Sequence, residues 1–255
     1  MNVLFSVRRS LSASYGLPLS TSRREFFIQY MMTAWRAFRC RLRMYDKLTC
    51  LSAKYPTDKG VTYFPFHGYT QHYDRLFAPM RERSITLLEI GLARKRDRTN
   101  PRVKCPSLEL WAEYFPYATL LGLDIDDFSM IKQPRTKIYR GDQGNPYDLQ
   151  EILHHHPTLD IVIDDGSHAS YHQQLTLMTL WPALSQKGIY VIEDLDSQPQ
   201  ALEASLPPVS KTVDLLHDIG AVEALLGGRI DIQIYDSPLR GKHNTMACLR
   251  RQGRV

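Results

Sequence analysis

The sequence contains no apolar run approaching the roughly 18 to 20 residues that a membrane-spanning helix needs, which excludes a helical integral membrane protein. It contains no CxxC pair. Its four cysteines, Cys40, Cys50, Cys105 and Cys248, lie far apart without metal-type spacing, so a zinc ribbon and a disulfide scaffold are excluded and reduced thiols in a cytoplasmic protein are expected. No G-x-G-x-x-G occurs, which argues against a dinucleotide cofactor held by a phosphate-cradling loop. There is no internal repeat. With 43% apolar and 23% charged residues, wholesale disorder is excluded as well.

Acidic residues are scarce at the start of the chain. The net charge is +5, yet residues 1–50 hold nine Lys or Arg against Glu25 and Asp46, a net of +7, so the remainder carries −2. The body of the protein is close to neutral, and no nucleic-acid partner is expected from charge alone.

Residues 1–23 have no usable periodicity and read as an irregular leader. Their acid-free, Arg- and Ser-containing composition resembles a transit peptide; a disordered leader, or translation beginning near Met31 or Met32, is the blander expectation. Residues 24–80 form a second region. Phe26, Phe27, Tyr30, Met31, Trp35, Phe38, Leu42 and Tyr45 recur at helical spacing among Arg36, Arg39, Arg41 and Arg43, which predicts one basic amphipathic helix over Arg24 to about Leu48. Docking on its own domain is the expectation; an acidic membrane or a partner surface is the alternative. The aromatic stretch Lys54 to Phe77, with a short helix from about Tyr69, suits either a lid with sugar-stacking rings or simple packing.

Residues 81–255 read as the main domain. Strands are predicted at Ile85–Ile90, Thr119–Ile125, Lys137–Arg140, Asp160–Asp164, Ile189–Ile192, Ile230–Tyr235 and Thr245–Leu249, with helices at Ser107–Tyr114, Tyr147–His155, Tyr171–Leu184 and Ser210–Leu226. This alternation forces a mostly parallel sheet with helices on both faces, and the last two strands, joined by SPLRGKHN, should form an antiparallel hairpin. The expected class is α/β, a Rossmann-like seven-stranded sheet.

The chemistry collects where strands end. LDIVIDDGSH, Leu159 to His168, closes an apolar strand with two carboxylates, a glycine, a hydroxyl and an imidazole; GIYVIEDL, Gly188 to Leu195, closes another with Glu193 and Asp194. Carboxylates on neighbouring strand ends require a cation, and Asp165, Glu193 and Asp194 offer oxygen ligands suited to Mg²⁺, with Mn²⁺ as a substitute. His168 is then placed to take a proton from a cation-bound hydroxyl. Asp164 is either a turn residue or a support for the site. The tract His154 to His156 sits at a helix end before Pro157 and is assigned no metal role.

On the other strands, LLEIGL supplies Glu89 and Gly91, GLDIDD supplies Asp124, and GDQG supplies Asp142. An acid closing the second strand can accept hydrogen bonds from ribose hydroxyls, and Asp142 can cap an adenine amino group, which together point to a nucleoside cofactor. S-adenosylmethionine, which has no phosphate, fits the missing glycines. After Gly91 runs a basic insert, Arg94 to Lys104, read chiefly as a solvated loop.

The residues TDKG, LLEIG, SLELWAEYFPYATLLGLDI, GDQG, IDDGSH and YVIEDL, within Lys54 to Asp194, resemble the Mg²⁺- and S-adenosylmethionine-dependent sugar O-methyltransferases typified by macrocin O-methyltransferases. The resemblance implies Asp165, Glu193 and Asp194 as metal ligands, His168 as general base, and Glu89, Gly91, Asp124 and Asp142 around the cofactor. It implies a glycan or a glycosylated small molecule as substrate. The chain also resembles nodulation-type fucosyl 2-O-methyltransferases acting on lipo-chitooligosaccharides. A homo-oligomer stays open. Two other readings compete: an RNA methyltransferase, which predicts salt-sensitive binding, and a catalytically silent cofactor-binding protein, which the intact set Asp165, His168, Glu193 and Asp194 argues against.

Overall fold

The computed structural model describes residues 23–42, 44–63, 67–92, 105–236 and 245–252. The leader up to residue 22, the basic insert Arg94–Lys104 and the turn SPLRGKHN lie outside the described residues. The chain divides into two compact units, with the boundary between Arg81 and Glu82.

In the first unit, α1 spans Arg23–Arg41, α2 Lys47–Ser52 and α3 Thr70–Phe77, followed by a single 3-10 turn, Ala78–Met80. The single helix expected over Arg24–Leu48 is therefore two. The break falls where Asp46, poor inside a helix but good before one, caps α2: its Oδ1 accepts the Thr49 amide at 2.7 Å. Tyr69, Tyr73 and Phe77 are fully buried, the last two stacked at 4.9 Å. Those three rings are buried rather than displayed on a surface.

The second unit is the predicted sheet: β1 Thr86–Ile90, β2 Thr119–Asp124, β3 Thr136–Arg140, β4 Leu159–Asp164, β5 Leu184–Ile192, β6 Ile230–Asp236 and β7 Thr245–Arg251. The order is β3-β2-β1-β4-β5-β7-β6; the first five strands are parallel, and β7 runs antiparallel to both β5 and β6. The inner strands are apolar almost throughout because both faces are covered. Edge strand β6, IDIQIYD, alternates apolar and polar residues. The helices are α4 Pro106–Tyr114, α5 Pro146–His155, α6 Ser170–Leu180, α7 Gln200–Glu203, α8 Thr212–His217 and α9 Ile219–Leu226. Around the sheet they enclose a core that includes Leu88, Leu121, Val162, Leu177, Trp181, Tyr190 and Leu249.

Two helix predictions need correction. The one over Tyr171–Leu184 ends at Leu180, passes through a 3-10 turn at Trp181–Ala183 that contains Pro182, and gives way to a β5 that starts five residues before the predicted Ile189. The helix over Ser210–Leu226 splits at Asp218, whose Oδ1 accepts the Ala221 amide at 3.0 Å and caps α9. α7 was not anticipated, being only four residues long.

Candidate active site

Strand order reverses between β1 and β4, and in an open parallel sheet the crevice at that reversal, at the carboxyl ends of the strands, is where ligands bind. Pairing continues one residue past each strand. The Asp165 amide donates to the Ile90 carbonyl at 3.0 Å, and the Glu193 amide to the Asp164 carbonyl at 2.9 Å. This brings the loop after β1 alongside those after β4 and β5.

Gly91 marks the tightest point. Its φ is +83°, and a Cβ there would lie 2.0 Å from the Asp165 carbonyl oxygen. The space a cofactor-contacting glycine would leave on that side is filled by the chain's own loop, so packing of β1 against β4 already requires a glycine.

The structure places Asp165, His168 and Asp194 so that one ligand atom from each lies within 4.8 Å of the others. Of the three carboxylates expected to hold a metal, Asp165 and Asp194 are thus together and His168 joins them. Glu193 is fully buried and lies outside this set. His168 Nε2 is 3.8 Å from Asp194 Oδ2, an electrostatic contact longer than a hydrogen bond, and the buried Nδ1 makes no hydrogen bond. Both His168 (φ +60°) and Asp194 (φ +53°) occupy the left-handed region, and only Arg135 among the other described non-glycine residues does so. Such backbone persists where surroundings over-determine it, and it clusters at functional sites.

Beneath this set lies a network that sequence reasoning missed. Gln143, between Asp142 and Gly144 in GDQG, donates from Nε2 to Asp164 Oδ1 at 2.9 Å and to Thr176 Oγ1 at 3.2 Å, while its Oε1 accepts the Ser167 amide at 2.6 Å. Ser167 Oγ is in turn 2.8 Å from His172 Nδ1. One buried amide therefore ties β4, α6 and the β3–α5 turn to the loop that carries His168. Asp164 is no member of the converging set; it anchors this network. Burial pushes its carboxyl up to about 7, against the lowering effect of the Gln143 hydrogen bond. The only sequence signal was a glutamine inside the turn GDQG, a residue type that most often faces solvent.

The acids expected on the nucleoside side stand on the other strands. Asp124 ends β2, nearly buried, with Oδ2 accepting the Leu92 amide at 2.8 Å and Oδ1 the Asp126 amide at 3.0 Å. Glu89 is fully buried on the neighbouring β1. The Cys105 thiol is pushed up to about 12 by burial and then by the charges of Glu89, Asp124 and Glu109, so it stays protonated. Asp142 is exposed two residues past β3, its Oδ1 holding the Gly144 amide at 2.8 Å in a turn. The predicted residues thus divide into Glu89, Asp124 and Asp142 on β1 to β3, and Asp165, His168, Glu193 and Asp194 on β4 and β5. His154 and His155 close α5 and His156 caps it, away from either group in the sequence of strand ends.

This sheet order, with its carboxyl-end crevice and terminal antiparallel hairpin, defines a Rossmann-like methyltransferase fold. No family model matches the chain. It is 37% identical over 150 residues to the 8-demethyl-8-alpha-L-rhamnosyl tetracenomycin-C 2'-O-methyltransferase of Streptomyces olivaceus, covering 59% of this chain and 38% of that protein. It is 38% identical over 149 residues to the mycinamicin VI 2''-O-methyltransferase of Micromonospora griseorubida, covering 58% and 36%. The chain spans less than two fifths of the length of these curated relatives, both of them named as O-methyltransferases. Among solved structures it is similar to the MycE methyltransferase of the mycinamycin biosynthetic pathway, in complex with Mg and SAH. That likeness has a TM-score of 0.65 and 28% identity, over 81% of this chain and 55% of that one. A further crystal of MycE, which also holds mycinamycin VI, has the same score over 91% and 64%.

Proposed function

We propose that this chain is a divalent-cation-dependent O-methyltransferase that moves the methyl group of S-adenosylmethionine to a hydroxyl of a deoxysugar or oligosaccharide. The observation that carries the reading is the convergence of Asp165, His168 and Asp194 beside the reversal point of a methyltransferase sheet. The names of the relatives support it: they act on rhamnosyl tetracenomycin-C and mycinamicin VI, and MycE holds Mg and SAH.

The residues fit a divalent cation and a nucleoside. Two carboxylates drawn together, one of them only 7% exposed, form a site for a hard cation. Asp165 and Asp194, with Glu193 next in sequence, would hold Mg²⁺ or Mn²⁺; Asp124, Glu89 and Asp142 would receive the nucleoside. When bound, the cation acidifies a coordinated hydroxyl and the sulfonium offers an electrophilic methyl carbon. His168 Nε2 takes the hydroxyl proton, and Asp194 Oδ2 at 3.8 Å stabilises the imidazolium that forms. Gln143 keeps the His168 loop in register with β4. The acceptor is a glycosylated small molecule or a glycan. No helix among the described residues is long and apolar enough to cross a membrane; the free thiols support a reducing, cytoplasmic setting.

The test is transfer of labelled methyl from S-adenosylmethionine to a panel of fucosylated and rhamnosylated acceptors, with and without EDTA. Transfer that stops in EDTA and returns with Mg²⁺ is the expected result. Undiminished transfer in EDTA would remove the metal from the mechanism, and a panel without any acceptor would remove the sugar.

A further inference from the structure

α1 has two unlike faces. One is packed within its own unit: Phe26 is 5% exposed, Thr33 is fully buried, Arg36 Nη1 donates to the Val61 carbonyl at 3.3 Å, and Cys40 Sγ reaches the Thr49 carbonyl at 4.0 Å. The opposite face carries Phe27, Ile28, Met31, Met32, Trp35, Phe38 and, just past the helix end, Leu42, all between 46% and 61% exposed. Docking on its own unit thus accounts for the first face and leaves the second bare. At about half of the 150 to 250 Å² an aromatic side chain can bury, and less for the others, the seven present roughly 700 Å². That exceeds the roughly 300 to 600 Å² of the largest patch on an ordinary monomer and approaches the roughly 800 Å² per partner of a standard interface.

The spacing says what kind of surface covers it. Ile28, Met31, Trp35, Phe38 and Leu42 follow one another at steps of three, four, three and four, the seam of a heptad repeat, which another helix fills by knobs-into-holes packing. The seam is also symmetric about Thr33: Met31 and Trp35 lie two residues to either side, and Ile28 and Phe38 five. An antiparallel copy of α1 therefore sets Met31 against Trp35 and Ile28 against Phe38 in the four central layers, the self-complementarity that a two-fold interface demands. A membrane surface suits this face less well. An interfacial helix keeps its cations beside the apolar stripe, whereas Arg36 is buried against Val61 and Arg39 turns onto Tyr45, its guanidinium 4.7 Å from the ring centre.

We infer that the exposed face of α1 is a homodimer interface, formed by antiparallel pairing with α1 of a second copy of this chain, with Trp35 near its centre. This inference is independent of the proposed methyl transfer and its failure would leave that reading untouched.

The full-length chain is to be followed by sedimentation velocity over a range of micromolar concentrations, with thermal melts monitored by circular dichroism to confirm that each variant is folded. The wild type should sediment as a dimer. Met31→Glu should weaken dimerisation by about 30-fold or more, as loss of a central apolar contact does. Adding Trp35→Lys to Met31→Glu should restore the dimer, because the new acid then faces the new base of the other copy; a parallel pair would set like charges together and stay apart. A mutation-free readout comes from Trp35 itself, since Trp111 and Trp181 are buried and it is exposed: its emission should shift to the blue as concentration rises. Four outcomes would overturn the inference. They are a wild type monomeric throughout, a dimer indifferent to Met31→Glu, a monomer that binds phosphatidylserine vesicles through α1, and a monomer that dimerises only after deletion of residues 1–22.

Discussion

The Gln143 side-chain amide lies 2.9 Å from Asp164 Oδ1, inside the protein, and holds the end of β4 to the turn after β3. Because the other end of the same amide accepts the Ser167 amide at 2.6 Å, the loop carrying His168 is fixed from below by one side chain. Gln143→Leu leaves a buried carboxyl and a backbone N–H without their partner. It should lower unfolding stability by about 1 to 3 kcal/mol and reduce kcat about 10- to 100-fold through displacement of His168, with KM for S-adenosylmethionine little changed. Denaturant unfolding and steady-state kinetics on the same preparation check both; a stability loss with kcat intact would limit Gln143 to a structural role.

His168→Ala should leave cofactor affinity near wild type, measured by calorimetry, while turnover falls by about 10² to 10⁴, the range of a general base. The alanine keeps a Cβ on the left-handed backbone, so that strain is not relieved and the melting temperature should be level or slightly lowered. A variant that can no longer bind S-adenosylmethionine would mean that the histidine shapes the cofactor site instead.

Gly91→Ala is expected to be the most damaging small substitution in the crevice. The new Cβ meets the Asp165 carbonyl oxygen at 2.0 Å, backbone against backbone, at a φ of +83°. Left-handed backbone alone costs an alanine about 1 to 2 kcal/mol and overpacking about 1 to 3 kcal/mol, so a loss of about 2 kcal/mol or more is expected. A melt within about 1 °C of wild type, on the usual scale of several degrees per kcal/mol, would contradict the packing described.

Acid should weaken the network through His172. Burial holds its imidazole below the ordinary value, against the pull of Asp142 and Glu203, and its Nδ1 faces Ser167 Oγ. The folded protein therefore binds this proton less readily than the unfolded chain. Stability is full at pH above the unfolded value of about 6.5 and declines as pH falls from there through the folded value. The difference in melting temperature between pH 7.5 and pH 5.5 should be smaller in His172→Gln than in wild type. An equal or larger difference would assign the acid sensitivity to another group.

Much of this could be read before any coordinates. Apolar runs that end in acids locate strands and the edge at which chemistry collects, because a strand buried on both faces admits charge only where it emerges. The repeated strand–helix alternation forces the parallel order, and the two closing strands without a helix between them force the hairpin. Helix ends were less legible. Asp46, Pro182 and Asp218 each stop a run whose periodicity continues past them, and in each case a single cap or a missing donor outweighs the pattern.

What the sequence determined by itself is the inventory of the crevice and the strands that deliver it: Asp165 and His168 from β4, Glu193 and Asp194 from β5, Asp124 from β2. Tertiary structure alone decided who meets whom. Left-handed turns at His168 and Asp194 swing those side chains toward Asp165, and Glu193, adjacent in sequence, falls outside the set. Gln143 became visible only through Asp164, Ser167 and Thr176, partners 21, 24 and 33 residues away. The 3-4 spacing of α1 was likewise present in the sequence from the start. Whether that stripe faces inward or outward depends on which side of the helix the rest of its unit occupies, and no local pattern carries that information.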